Sequence, residues 1–151
     1  MLLKSMLKIS FVLLLAVISS SFKTKSISTK YSISIKITNI RNNKGMMQLQ
    51  LYLSQETFQA EKPFKIYRIS KKDASSHTLH YKIEGLLPNI YGIALLDDEN
   101  SNKKMDYAWF YPKEGFGFSD YYHTAWSKPT FHKFKFNLNA DKAVNIKIRY
   151  I

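Results

Sequence analysis

The stretch YSISIKIT, residues 31–38, decides the fold class of this 151-residue chain. Isoleucine occupies every second position from 33 to 37, and serine, lysine and threonine occupy the positions between and after them. Successive side chains of a β-strand point to opposite faces of the sheet, so this alternation predicts a strand with one buried face. The same two-residue period recurs along the rest of the chain.

Further strands are predicted on the C-terminal side of this stretch. Residues 41–45, RNNKG, have turn composition, so they predict a hairpin between the first strand and the next one. Together the segments amount to about seven strands with turn signals between them and no convincing helix. The pattern favours an all-β fold, an antiparallel Greek-key β-sandwich that is immunoglobulin-like or transthyretin-like. The segments after the first are 47–53, 64–69, 77–83, 91–96, 134–138 and 144–150.

The N-terminus has the three-part organisation of a secretory signal peptide. Lys4 and Lys8 precede an apolar run at 9–18, and three serines follow at 19–21. The run is shorter than the roughly 20 residues that a membrane span needs, although an uncleaved anchor is the alternative. We predict a signal peptide at 1–21, a short leader at 22–30 and one β-sandwich domain at 31–151. The protein is then periplasmic or extracellular.

The amino-acid composition excludes several kinds of site and limits the classes of partner. The chain has no cysteine, which excludes disulfides, thiolate catalysis and zinc–cysteine sites. Its net charge of +12 favours anionic surfaces such as lipid headgroups or acidic polysaccharide, with a merely solvated lysine-rich surface as the alternative. An exported protein rarely meets nucleic acid, so we expect no nucleic-acid partner.

The loop DDENSNKKMD, residues 97–106, has a spacing typical of calcium ligands. From position 98 it reads D-x-N-x-N-x-x-x-D, and alternating oxygen donors on a tight loop can converge on one hard cation. Lysine stands at the sixth position, where glycine is usual, so we expect a weak, structural Ca²⁺ site. An ordinary polar turn is the alternative. The predicted ligands are the side chains of Asp98, Asn100, Asn102 and Asp106 and the backbone carbonyl of Lys104.

A long aromatic segment, residues 107–131, follows this loop. Long loops are often functional, and tyrosine and tryptophan combine a large apolar ring with a polar atom, so the segment is a candidate platform for a sugar or peptide. The alternative is that the rings plug one open end of the sandwich. Gly115 and Gly117 are predicted to let the backbone turn sharply between Phe116 and Phe118. The candidate ligand-binding residues are Trp109, Tyr111, Glu114, Phe116, Phe118 and Trp126.

Catalytic signatures are weak. The chain contains no nucleophile motif, P-loop or dinucleotide fingerprint, and two of its histidines, His77 and His80, lie on opposite faces of a predicted strand. A hydrolase that acts on an envelope polymer would need Glu114 with Asp120 or Asp106 as its acid and base. We therefore predict a noncatalytic binding or assembly module. Its partner would be an envelope polymer, a peptide or an anionic lipid surface, and the hydrolase is the alternative.

Four segments together resemble a known family. They are GLLPNIYGIA at 85–94, the acidic loop at 97–106, PKEGFGFS at 112–119 and KPTF at 128–131. In this combination the chain resembles the exported bacterial proteins grouped as domain of unknown function 2141, over about residues 33–151. The sequence departs from the family pattern at Asn89 and Lys103, where glycine is common. The resemblance implies the β fold and export, and it does not indicate which activity the protein has.

Overall fold

The structure is a computed structural model that describes residues 29–151. The predicted signal peptide and residues 22–28 of the predicted leader lie outside this range. The strands are β1 (Tyr31–Thr38), β2 (Met46–Tyr52), β3 (Lys65–Ser70), β4 (Thr78–Leu86), β5 (Asn89–Asp98), β6 (Tyr107–Ala108), β7 (Tyr111–Pro112), β8 (Gly115–Phe118), β9 (Lys135–Leu138) and β10 (Lys142–Lys147).

Two short helical pieces accompany the strands, α1 (Gln55–Gln59) and a 3₁₀ turn (Phe131–Lys133). Ser54 caps α1, because its side chain accepts a hydrogen bond from the backbone N–H of Thr57 and the Thr57 side chain bonds back to the Ser54 backbone. The sequence showed no convincing helix, because five residues are too few to show a helical period. Within residues 29–151, no helix is long and apolar enough to cross a bilayer.

Strand β1 lies at the centre of a three-stranded sheet, in the order β10-β1-β4. It pairs antiparallel with β4 and parallel with β10, with Ile35 beside Val144 and Ile37 beside Ile146. The predicted purely antiparallel arrangement is therefore wrong at this pair. Parallel neighbours need a long connection, and about a hundred residues separate these two strands along the chain.

The second sheet is built around β5, the longest strand. Its order is β3-β2-β5-β8, and β9 pairs with the first half of β5 on the edge where β8 pairs with the second half. The continuous apolar run at 91–96 predicted a central strand, and the structure confirms this position. Residues 29–151 are all-β, as predicted, and the three sheets they form are open.

The predicted hairpin between the first two strands is wrong. Strands β1 and β2 belong to different sheets, and residues 39–45 carry the chain from one sheet to the other. Alternation determines which face of a strand is buried, but it does not determine which strand lies beside it. Both strands turn their apolar residues into one shared core, so the pattern is the same for either topology.

The sheet around β5 is covered on both faces. Its inner face contributes Leu49, Ile93 and Leu95 to the core shared with the three-stranded sheet. Its other face carries a second, aromatic cluster, to which α1 and the 3₁₀ turn contribute Phe58 and Phe131. Two covered faces explain why β5 is buried at consecutive positions from 91 to 98. The aromatic cluster consists of Tyr52, Phe58, Ala94, Phe118, Phe131 and Phe134.

Candidate functional site

Two aspartates at the end of β5 point to opposite faces of the sheet. Asp97 lies on the face of the shared core, where Lys71 and Tyr150 contact it. Asp98 lies on the other face, where its Oδ2 accepts a hydrogen bond from Nε2 of Gln48 at 2.9 Å. The strand therefore divides two adjacent carboxylates between two environments, and only Asp98 faces the acidic loop.

The loop from Asp98 to Asp106 is coiled by bonds from its own backbone. The backbone N–H of Lys103 donates to Oδ2 of Asp98 at 2.9 Å, and that of Lys104 donates to Oδ1 of Asn102 at 2.8 Å. Lys103 has a φ of 70°, the left-handed conformation that glycine adopts most easily. The lysine thus makes the turn that the spacing requires at the sixth position.

Side chains from the two ends of the loop meet. The amide nitrogens of Asn100 and Asn102 both donate to the Asp106 carboxylate, at 2.6 Å and 3.0 Å. Asn100 also accepts the backbone N–H of Asn102 through its Oδ1. The structure therefore brings three of the four predicted side-chain ligands into contact, and the fourth, Asp98, bonds the same loop through Lys103.

One oxygen in this loop is left without a partner. Asp98 is 1% exposed, and its Oδ1 is one of two buried side-chain polar atoms between residues 29 and 151 that have no hydrogen-bond partner. A buried carboxylate oxygen without a partner loses its hydration without compensation. A cation bound by this loop would supply the missing interaction.

Glu114 also belongs to this loop, which the sequence did not predict. Its side chain is buried, and its two carboxylate oxygens accept the backbone N–H groups of Glu99 at 3.0 Å and Asp106 at 3.3 Å. Burial raises the pKa of Glu114, although these two N–H groups lower it. Glu114 therefore joins the two ends of the loop and does not face a ligand surface as predicted.

A metal ion bound by the acidic loop would need amide and backbone oxygens as ligands in addition to the carboxylates of Asp98 and Asp106. Nowhere between residues 29 and 151 do three or more histidine, aspartate or glutamate side chains form a group that could hold a metal ion. Two ring nitrogens are bonded to carbonyls, His77 to Ile40 at 2.6 Å and His123 to Ser127 at 2.7 Å. A cation here would need oxygen donors, which suits Ca²⁺ better than a metal that prefers nitrogen.

An ion pair connects the loop to the β1–β2 connection. The Arg41 guanidinium donates to both carboxylate oxygens of Glu99, at 2.6 Å and 2.7 Å, and to the backbone carbonyl of Lys113 at 3.0 Å. Arg41 holds the pKa of Glu99 below its usual range. The guanidinium also lies over the Tyr150 ring, 4.4 Å from its centre. The Arg41 side chain thus binds both ends of the segment 99–113.

A small aromatic hairpin follows the loop. Strands β6 and β7 pair antiparallel, and Trp109 and Phe110 form the two-residue turn between them. These two side chains are 88% and 92% exposed, and Tyr107 and Tyr111, one in each strand of the hairpin, are also exposed. The backbone N–H of Lys113 donates to the carbonyl of Asp106 at 2.8 Å and closes the hairpin directly beside the acidic loop.

The remaining aromatic residues divide between core and surface. Phe118 is buried in the aromatic cluster and Phe116 packs against it, so these two rings belong to the packing on the outer face of the sheet around β5. Trp126 is 80% exposed on the separate loop before the 3₁₀ turn. The predicted single platform is therefore split, and only Trp109, Tyr111 and Trp126 among its proposed members present their rings to solvent.

The two glycines beside Phe116 have a different role from the one predicted. Gly115 and Gly117 lie in β8 without positive φ, so they make no sharp turn. A Cβ on Gly117 would lie 2.6 Å from Cγ2 of Ile146, and one on Gly115 would lie 2.3 Å from Cε1 of Tyr150. The glycines let β8 pack closely against β10 and the chain that follows it.

Together these features define a β-sheet domain. It bears an acidic, amide-rich loop at the C-terminal end of its longest strand, β5, and an exposed aromatic hairpin directly after that loop. The chain matches, over residues 35–147, the family described as an uncharacterized protein conserved in bacteria (DUF2141), and it belongs to that family. The match includes the loop and the hairpin and confirms the resemblance seen in the sequence. Comparison with curated proteins and with solved structures gives no match.

Proposed function

We propose that this protein is an exported, noncatalytic binding module in which a Ca²⁺-ordered loop holds an aromatic hairpin as the contact surface. The signal-peptide pattern at residues 1–21 supports export to the periplasm or the cell exterior. The two sheets share one apolar core, which supports a variant of the Greek-key sandwich that includes one parallel pair.

The observation that carries the proposal is the exposure of Trp109 and Phe110 at the hairpin tip. Isolated exposed apolar residues are ordinary, but here two large rings occupy one two-residue turn and each strand of the hairpin adds an exposed tyrosine. Tryptophan and tyrosine are enriched among the residues that dominate binding surfaces. The folded domain gains nothing from placing these rings in water, so we assign them to a partner.

Calcium binding is supported by the chemistry of the loop. Ca²⁺ takes six to eight oxygen ligands, and the loop offers carboxylate, amide and carbonyl oxygens, including the unpartnered Oδ1 of Asp98. Binding would replace the two amide donors that Asn100 and Asn102 now direct at Asp106. We therefore expect a weak site, with a Kd of about 10⁻⁴–10⁻³ M as in extracellular modules.

The hydrolase alternative receives less support from the same geometry. Each of the three carboxylates it would use is already an acceptor in a structural hydrogen bond. Glu114 accepts two backbone N–H groups, Asp106 accepts two amides, and Asp120 accepts the backbone N–H of Asn145 at 2.8 Å. An acid–base pair needs carboxylates that can exchange protons with a substrate, so the binding module is the better assignment.

Calorimetric titration of the purified protein with Ca²⁺ tests the proposal. Wild type should give a saturable heat and, at about 1 mM Ca²⁺, a gain of roughly 0.4–1.4 kcal/mol in the free energy of unfolding. Asp98→Asn should abolish both, while Asp73→Asn, at an exposed site in the β3–β4 connection, should retain both. Heat that persists in Asp98→Asn and Asp106→Asn alike, or no heat in wild type, would refute a calcium site in this loop.

A further inference from the structure

The aromatic hairpin at residues 107–112 suits one class of partner better than the others. Its tip is convex, because Trp109 and Phe110 are both about nine-tenths exposed at the outer end of a two-stranded hairpin. A folded ligand can cover a convex tip only with a pocket of its own, whereas the interfacial region of a bilayer deforms around inserted rings. From this shape we infer that the hairpin docks on an anionic lipid membrane, an inference that rests on the proposed binding function.

The charges around the hairpin complement anionic headgroups. Lys103 and Lys104 precede it, Lys113 follows it, and all three side chains are exposed. Among the nearby acidic groups Glu99 is paired with Arg41, and Asp98 and Glu114 are buried, so the half-buried Asp106 is left against three lysines. The charge presented to a surface beside the tip is therefore cationic, which favours the anionic lipid of a membrane.

The order of side chains along the hairpin also matches a bilayer interface. The most exposed, fully apolar ring, Phe110, is at the tip beside Trp109, Tyr111 lies one residue behind the tip, and Tyr107 lies two residues behind it. Tyrosine and tryptophan prefer the headgroup level, because the ring is apolar and its O–H or N–H can stay hydrated. Rings at the interface with lysines behind them form a typical peripheral membrane contact.

The turn conformation gives a separate reason to assign Trp109 to binding. Its φ is 58°, at the first central position of a two-residue hairpin turn. Such positions favour glycine or asparagine, because a residue with a bulky side chain is strained in the left-handed region. A tryptophan at this position disfavours the folded turn, so we attribute its presence to contact with a partner.

The chain's two tryptophans allow a direct test by fluorescence. Trp126→Phe leaves Trp109 as the sole reporter, and Trp109→Phe leaves the similarly exposed Trp126 as a matched control. We expect vesicles of phosphatidylglycerol and phosphatidylcholine to shift the Trp109 emission to shorter wavelength. Spin-labelled lipid in the same vesicles should quench Trp109, and Trp126 should respond to neither. Vesicles of phosphatidylcholine alone should give a much smaller shift.

Affinity measurements separate insertion from simple charge attraction. Phe110→Ala should weaken co-sedimentation with the anionic vesicles by at least about tenfold. Lys103→Gln with Lys104→Gln should weaken it by about fivefold for each charge lost and reduce its salt dependence. The control pair Lys133→Gln and Lys135→Gln, on exposed residues at the end of the 3₁₀ turn and the start of β9, removes the same charge and should have little effect.

Several outcomes would overturn the inference. They are a Trp126 response in place of the Trp109 response, an equal loss of affinity in both lysine pairs, and protection of Trp109 by an envelope polymer or a peptide but not by vesicles. No vesicle response at all, together with normal Ca²⁺ binding and its loss in Asp98→Asn, would refute lipid docking alone. That result would leave the calcium-ordered loop of the proposed function standing.

Discussion

The Nζ of Lys71 lies 2.5 Å from Oδ1 of Asp97, and both side chains are completely shielded from solvent. Lys71 directly follows β3, and Asp97 is the penultimate residue of β5. The hydroxyl of Tyr150 donates to the second carboxylate oxygen at 2.6 Å. Burial raises the pKa of Asp97, although the bonds from Lys71 and Tyr150 lower it. The pair sits at the end of the shared core, next to the acidic loop.

We predict that Lys71→Met lowers the free energy of unfolding by about 3–5 kcal/mol, because it leaves the Asp97 charge buried without a cation. Urea denaturation followed by circular dichroism measures the loss. Lys71→Met combined with Asp97→Leu should recover much of it, since no charge then remains in the core. A loss below about 1 kcal/mol in the single variant would contradict a buried ion pair.

The Arg41–Glu99 pair predicts a pH dependence. Arg41 lowers the pKa of Glu99 below its ordinary value of 4.5, so its contribution to stability is present above that pH. It is lost as the pH falls through the lower pKa of the folded state. Because Arg41 is partly exposed, we expect Arg41→Met to cost at most about 1 kcal/mol at pH 7.

Denaturation of wild type and Arg41→Met across the acidic range checks this expectation. The difference between the two unfolding free energies should shrink below the unfolded pKa of Glu99 and vanish at lower pH. Comparison of the two proteins cancels the titration of other groups, such as Glu114. A difference that is constant with pH would assign Arg41 a packing role over the Tyr150 ring instead.

Gly45 and Gly85 both have positive φ. Comparing alanine substitutions at these two positions tests how closely the β1–β2 connection packs against the acidic loop. A Cβ on Gly45 would lie 2.0 Å from the backbone oxygen of Asp98, whereas one on Gly85 would contact nothing within 4 Å. Gly85→Ala should cost about 1–2 kcal/mol from its left-handed backbone alone. Gly45→Ala should cost at least about 1 kcal/mol more, measured by thermal denaturation. Equal losses would mean that the loop moves aside without cost.

Alanine substitutions at Phe118 and Phe110 should have very different effects on stability. Phe118→Ala removes a ring that packs against Phe58 and Phe134 in the aromatic cluster, and we expect a loss of about 3–5 kcal/mol. Phe110→Ala, at a ring 92% exposed, should change stability by less than about 0.5 kcal/mol. Calorimetric melting of both variants checks the division between core and surface. Similar losses in the two would contradict the exposed hairpin.

Glu114 predicts a local effect on the acidic loop. Glu114→Ala leaves the backbone N–H groups of Glu99 and Asp106 without acceptors, which should cost roughly 1–3 kcal/mol. Hydrogen exchange at these two amides should accelerate more than at amides of β1. The control Glu84→Ala removes an exposed carboxylate paired only with Lys82, and it should leave both rates unchanged. Unchanged rates in Glu114→Ala would show that the loop keeps its shape without this side chain.

Much of the fold could be predicted because strand periodicity is a local signal. The alternation at 31–38 and the apolar run at 91–96 located β1 and β5 and marked β5 as central. The partners of the strands are not local. Residues 39–45 were predicted to form a hairpin, yet they cross between sheets, because a shared core presents the same pattern to either arrangement.

The site shows the same division between local and long-range information. The spacing from Asp98 to Asp106 predicted that these side chains would gather in one coiled loop, and short-range Asx bonds do coil it. Glu114 was assigned to the aromatic surface, because nothing in the order of residues shows that β8 returns beside the loop. Lys71 carried no signal at all, since a lysine after an edge strand reads as a solvated charge.

The sequence by itself determined the all-β class, the family and the composition of the acidic loop, since strand period, motif spacing and ligand type are properties of neighbouring residues. Only the tertiary structure decided that Lys71 and Asp97 form a buried pair, that Glu114 joins the ends of the loop, and that Trp109 is exposed while Phe118 is buried. Burial depends on which strands and loops pack together across the whole chain. The energy of a charge or a ring changes with that environment, and residue order does not specify it.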